Sequence, residues 1–141
     1  EGAAEYAKRL SRFLSLDILE VDDLPEPARP SAAQIEQLVA REGEALLSKI
    51  RPGDTVVALC VRAQVPDSEA FAALVDGWAG RGRRVVFVIG GSNGLSAQVL
   101  RRADERVSFS NMTFPHALMR VVLLEQLYRA MKIRAGKPYH K

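Results

Sequence analysis

The chain has few of the residues that staple or metallate small domains. Its 141 residues include one cysteine, Cys60, and two histidines, His116 and His140. A single cysteine excludes an internal disulfide framework. One cysteine and two scattered histidines also fall short of a zinc site, which needs clustered ligands. No apolar run reaches the roughly 18 residues of a membrane span. The opening residues, E-G-A-A-E-Y-A-K-R-L, lack the apolar centre of a secretory leader. Neither an internal repeat nor a low-complexity tract interrupts the sequence. These absences point to a protein of the reducing cytoplasm, with no metal and no membrane partner.

The remaining composition is that of an ordinary globular chain, with 48% hydrophobic and 26% charged residues. Residues 1–141 amount to one domain's worth, large enough to bury about two-thirds of the unfolded surface. The formal net charge of +3 hides an asymmetry. Residues 1–80 hold 14 acidic against 8 basic side chains, whereas residues 81–141 hold 3 against 12. A basic carboxy-terminal half suits a polyanionic partner; surface solubility alone would also explain it.

Pattern divides the chain into alternating elements. Residues 1–13 have helical character, and 16–21 (L-D-I-L-E-V) alternate like a strand. Asp and Pro make 22–30 a loop. Ser31 and Gln34 form a capping box that opens a helix running to about Ile50. Residues 55–61 (T-V-V-A-L-C-V) and 85–89 (V-V-F-V-I) are fully apolar, as strands of parallel sheets buried on both faces are. Between them, 68–80 carries Phe71, Leu74, Val75 and Trp78 at helical spacing. Ser96 caps a short helix ending near Ala103, 107–109 reads as a brief strand, and Pro115 and His116 open a last helix to about Arg134. Helices alternating with apolar strands predict an α/β fold with a mainly parallel sheet.

Two segments have site character. Gly90-Gly91-Ser92-Asn93-Gly94 joins a buried strand to a helix, where open α/β sheets bind ligands. Its spacing is neither the dinucleotide fingerprint nor a Walker loop, and a tight turn alone would also account for it. Residues 110–116 (S-N-M-T-F-P-H) mix short polar groups with Met112 and Phe114, which suits a mostly apolar pocket with a few polar anchors. Arg120 sits within an apolar stretch, A-L-M-R-V-V-L-L, as a functional charge or as a snorkelling one. Glu125 and Arg129 stand at i and i+4, the spacing of a helix salt bridge. Cys60 lies on an apolar strand and reads as core. No paired carboxylates and no Ser/His/Asp set mark a hydrolase.

The runs V-I-G-G-S-N-G-L, S-F-S-N-M-T-F-P-H-A-L-M-R-V-V-L-L-E-Q-L-Y-R-A and G-K-P-Y-H-K, in that order, resemble the ribosomal RNA large subunit methyltransferase H family. The likeness covers essentially the whole chain. It implies a SPOUT-type α/β fold with helices on both faces of the sheet and a carboxy-terminal trefoil knot, which ordinary topology rules would exclude. It implies a further strand ahead of the first helix. It also implies methyl transfer from S-adenosylmethionine to N3 of a pseudouridine in 23S ribosomal RNA, on assembled ribosomes, by a homodimer packed through residues 118–127. The cofactor residues carried over are Leu59, Gly90, Phe109, Ser110, Asn111, Met112, Thr113 and Phe114. The candidates for catalysis are His116, Arg120, Tyr139 and His140. Where the family has an acidic residue and then a glycine after its strand leucine, this chain has Cys60 and Ala63. The alternative is a dimeric ribosome- or RNA-binding module that keeps the fold without the chemistry; a flavodoxin-like nucleotide-binding domain is a more distant one.

Overall fold

The computed structural model describes residues 2–10, 25–90, 93–110, 112 and 114–136. Its elements follow in the order α1 (Gly2–Leu10), α2 (Ala32–Leu47), β1 (Thr55–Gln64), α3 (Ser68–Ala79), β2 (Val85–Ile89), α4 (Ala97–Arg102), β3 (Glu105–Val107) and α5 (His116–Arg134). The expected strand at 16–21 lies outside the described residues.

Local chemistry sets the helix starts. The Ser31 hydroxyl accepts from the Gln34 amide while the Gln34 side chain accepts from the Ser31 amide, which completes the capping box of α2. Asp67 and Ser96 cap α3 and α4 in the same way, accepting from the amides of Ala70 and Val99. α5 has no side-chain cap and begins after Pro115, whose preset φ favours a helix entry.

The strands form one parallel sheet in the order β2-β1-β3. β1 is central, and its apolar run serves two cores at once because successive side chains point to opposite faces. Val57 and Leu59 join Phe71, Val75 and Trp78 of α3 and Leu123, Leu124 and Leu127 of α5 on one face. Val56 and Ala58 join Val88 and Val99 on the other, beneath Leu46, Leu47 and Ile50. Helices therefore cover both faces. α1 lies against α5, with the Tyr6 and Tyr128 rings 6.5 Å apart. α2 approaches α4 closely, because a Cβ at Gly43 would stand 2.9 Å from Ser96 Cβ.

From β1 the chain passes through α3 to β2. It then returns past β1, through α4, to β3 on the other side. Reversing direction moves the crossover helix to the opposite face, as a constant crossover hand requires. The reversal makes the β1–β3 boundary a topological switch point, where open α/β sheets bind ligands beyond the strand ends.

Two strands differ from the sequence expectation. β1 continues past Val61 to Gln64, and Leu59 and Gln64 both pair with Val107, so the residues between them bulge out of the ladder. β3 is Glu105–Val107, not 107–109. After Ser108, whose amide still reaches the Gln64 carbonyl at 3.0 Å, the chain leaves the sheet and Phe109 packs on Phe71.

Candidate active site at the carboxyl edge of the sheet

Register brings the expected residues to one edge. Leu59 pairs with Ile89 of β2 and with Val107 of β3. Gly90, Ser108 and Phe109 follow immediately, so the three strand ends present them together beside the switch point. Leu59 is buried, and Ile89 and Phe109 are half-buried. The Phe109 ring meets Phe71 edge-on at 5.2 Å, and Phe71 meets Trp78 at 6.2 Å. Favourable edge-to-face geometry fixes the start of the 109–114 loop to the core.

Serine hydroxyls then shape that loop. Buried Ser108 donates its hydroxyl to the Ser110 carbonyl at 2.7 Å and accepts from the Ser110 amide at 3.2 Å. The Ser110 hydroxyl accepts from the Met112 amide at 2.9 Å. Such side-chain-to-backbone bonds replace ladder partners and turn the chain. Met112 is left 68% exposed, a large apolar group standing free at the edge. Asn111 and Thr113 lie outside the described residues, as do Gly91 and Ser92. Phe114 is half-buried just before the last helix.

Gly90 has a structural reason that sequence did not show. A Cβ there would stand 2.7 Å from the Gly94 carbonyl carbon and 3.0 Å from the Leu95 amide. The chain's own turn, closed by Gly94 at φ +85°, excludes a side chain whether or not a ligand is bound. Gly90→Ala is therefore expected to force the turn apart and cost about 1–3 kcal/mol of stability, the range for overpacking. Thermal unfolding without any ligand measures this; an unchanged midpoint would leave Gly90 as a ligand-approach residue only.

His116 opens α5, and its Nδ1 lies 3.2 Å from the Gly90 carbonyl oxygen. A carbonyl only accepts, so Nδ1 carries the proton and donates. In the neutral ring, Nε2 is then the lone-pair nitrogen. Arg120 follows one turn later on the same stripe of α5 and is half-buried. His116 thus meets Gly90, with Arg120 one turn further along α5. Tyr139 and His140 lie outside the described residues.

Cys60 starts the bulge and is half-buried, less enclosed than its apolar strand suggested. Burial pushes its thiol up from the ordinary range, partly offset by Arg106. It stays protonated near neutrality and is a poor nucleophile. Glu125 and Arg129 form the expected salt bridge at 2.5 Å. Among the described residues no three His, Cys, Asp or Glu side chains gather to hold a metal, and no helix is long and apolar enough to cross a membrane. An open groove of about 570 Å³ between α3 and the end of α5 is lined by Glu69, Asp76, Met131 and Arg134 among others, and by none of the candidate site residues.

Sequence reasoning missed Ser108 and Phe71 as site-forming residues. Phe71 was legible only as core spacing, and Ser108 gave no local signal. Their roles arise from contacts to residues 109 and 110 that only the folded loop makes.

A family model described as "Predicted SPOUT methyltransferase" matches residues 1–140, and the chain belongs to the SPOUT methyltransferase family. The knot implied by that membership depends on the chain path through 91, 92, 111 and 113, which lie outside the described residues. Relatives named "Ribosomal RNA large subunit methyltransferase H" match along its whole length. One from Pelotomaculum thermopropionicum is 50% identical over 99% of this chain and 88% of its own. Those from Bacillus pumilus and Lactiplantibacillus plantarum are 48% and 49% identical, over 100% of this chain and 89% of theirs.

Proposed function

We propose that this methyltransferase modifies N3 of a pseudouridine in 23S ribosomal RNA, on assembled ribosomes in the cytoplasm, using S-adenosylmethionine and acting as a homodimer of single-domain subunits. The observation that carries the reading is the convergence of Leu59, Gly90 and the 108–112 turn at the switch point, in a chain about half identical end to end with proteins named for ribosomal RNA methylation. The lining fits the cofactor's nucleoside: apolar surface from Leu59, Ile89 and Phe109 beside short hydroxyls and bare backbone. Leu59, Gly90, Phe109, Ser110, Asn111, Met112, Thr113 and Phe114 are assigned to it.

S-adenosylmethionine, when bound, would supply an electrophilic methyl group, its sulfonium sulfur leaving as a neutral thioether as the deprotonated target nitrogen attacks in line. The protein's main task is alignment, since a correctly held pair reacts as one molecule. N3 of the base must also lose its proton. The Gly90 bond orients His116 with Nε2 as acceptor, and a positioned base contributes roughly 10²–10⁴-fold. Arg120 is assigned to the negative charge of the ionised imide or a flanking phosphate. Tyr139 is assigned to stacking on a base and His140 to a hydrogen bond or proton transfer. The dimer assignment draws on α5, where Leu118 is 46% exposed next to half-buried Met119, Val121 and Val122.

The direct test is methyl transfer from labelled S-adenosylmethionine to ribosomes from a strain lacking the modification. Label in one 23S pseudouridine is expected. Binding of S-adenosylmethionine and ribosomes without transfer would establish the non-catalytic alternative. Within this reading, deleting residues 138–141 is expected to leave S-adenosylmethionine affinity nearly intact by calorimetry. It should slow methylation at least tenfold, about 1.4 kcal/mol of transition-state stabilisation. A normal rate in the deletion would return the proton-accepting role to His116 alone.

A further inference from the structure

We infer a second RNA-contacting surface at the amino end of the sheet, a strand's length from the candidate active site, that grips the phosphate backbone of a ribosomal RNA helix. Three segments meet there: two loops and the turn from α4 into β3. The Thr55 amide donates to the Arg84 carbonyl at 2.8 Å and the Asp104 amide to the Val56 carbonyl at 2.8 Å, which ties residues 84, 55–56 and 104 side by side. Segments 49–54, 81–84 and 101–105 together hold seven Lys and Arg against three Asp and Glu.

All three acids are already engaged. Asp54 holds Arg84 at 2.6 Å, Asp104 is 3.4 Å from Arg102, and Glu105 is 3.7 Å from Arg81. A net positive charge of four remains in the three segments. It is held in place, because Arg84 also donates to the Lys49 carbonyl at 2.9 Å and Arg102 to the carbonyls of Arg51 and Asp54 at 3.0 and 3.1 Å. Those anchors order the loops that carry Lys49, Arg51 and Arg83 and the end of α4 that carries Arg101, all four exposed. Among the described residues, no hydrogen bond or ion pair holds the side chains of Lys49, Arg83 and Arg101.

The surface spans the edge of three strands, about 10 Å at ~4.8 Å per strand. It is separate from the site of the methylated nucleotide, since β1 runs from Thr55 to Leu59 between them, about 13 Å at ~3.3 Å per residue. Of the other residues in these segments, Pro52, Gly53 and Gly82 are exposed and small, and Ile50 and Ala103 are half-buried against the core, so no large apolar anchor is offered. A protein partner would need such an anchor at its centre. Spaced guanidinium groups on ordered loops match phosphate oxygens, and duplex RNA is held mainly through its backbone and shape. This inference rests on the ribosomal RNA reading for the partner's identity, but not on the methyl-transfer chemistry.

The test uses the full chain and a labelled RNA hairpin with a long duplex stem, read by fluorescence anisotropy, with ribosome binding in parallel. The double variant Arg83→Glu with Arg101→Glu avoids the anchored arginines and should melt like the parent. It is expected to lose at least tenfold in affinity for both the hairpin and the ribosome. Its log–log salt slope should flatten by about two, near 0.9 per lost phosphate contact. Arg83→Lys with Arg101→Lys should bind nearly as the parent does. Unchanged hairpin affinity in the charge-reversed protein would overturn the inference. So would weaker ribosome binding with hairpin binding intact, which would identify an acidic ribosomal protein as the partner. A parent protein that binds the hairpin through these arginines yet transfers no methyl group would sink the proposed function and leave this surface standing.

Discussion

Phe71→Ala is expected to be the most damaging single substitution in the described part of the molecule, and to damage two things at once. Phe71 is 1% exposed and lies between the Trp78 ring at 6.2 Å and the Phe109 ring at 5.2 Å. Removing a fully buried phenylalanine costs about 3–5 kcal/mol from lost transfer energy and the cavity left behind. For a protein that is stable by only about 5–15 kcal/mol, that is a large fraction. The second consequence is functional. Phe109 begins the loop assigned to the cofactor, and its ring would lose the surface that orients it. The milder Phe71→Leu keeps most of the volume and should separate the two effects: a stability loss near 1 kcal/mol, with S-adenosylmethionine affinity falling by tenfold or more. Denaturant unfolding and calorimetry on both variants measure this. Full cofactor affinity in Phe71→Leu would show that the aromatic contact is packing alone.

Asp54→Ala is expected to cost about 2–3 kcal/mol. The Asp54 carboxylate is nearly buried, accepts from Arg84 at 2.6 and 3.0 Å, and accepts from the Arg51 amide at 2.7 Å. Breaking a buried ion pair costs about 3–5 kcal/mol, and the smaller figure allows for Arg84, whose side chain is 36% exposed and partly rehydrates. The Arg84 hydrogen bond holds the Asp54 carboxyl below the usual carboxylate range, opposed by burial and helped by the Arg51 amide. A lowered folded-state pKa means that the unfolded chain binds the proton more readily. The stabilisation is therefore complete above the unfolded value of about 3.9 and drains away as pH falls through the folded one. Unfolding midpoints taken from pH 6 down to pH 2.5 should converge for the parent and Asp54→Ala at the acid end. A constant gap across that range would disprove the assignment to ionised Asp54.

Much of the fold was legible because its signals are local. The capping box at Ser31 and Gln34, the apolar strand 85–89 and the helix beginning at His116 appear where spacing and caps put them. A cap or a period-two run needs only neighbours in sequence to express itself. The errors fall where long-range contacts take over. The first apolar strand was read as 55–61, yet Gln64 rejoins the ladder opposite Val107 across a bulge. Phe109 was read as strand, yet it turns out of the sheet to meet Phe71. At the site, Gly90 was noticed for its place after a strand, but the reason it must be glycine is the Gly94 backbone folded back on it.

By itself, the sequence determined the class of structure: alternating helices and strands, a sheet buried on both faces, and basic charge gathered in its second half. Those properties depend on composition and period, which hold before any distant pair of residues meets. Only the tertiary structure decided the strand order β2-β1-β3, and with it the switch point beside Leu59. It alone brought His116 to the Gly90 carbonyl and collected arginines from three separate segments at the opposite end of the sheet. Strand order and convergence of that kind follow from which buried faces pack together, and no short stretch of residues encodes that choice.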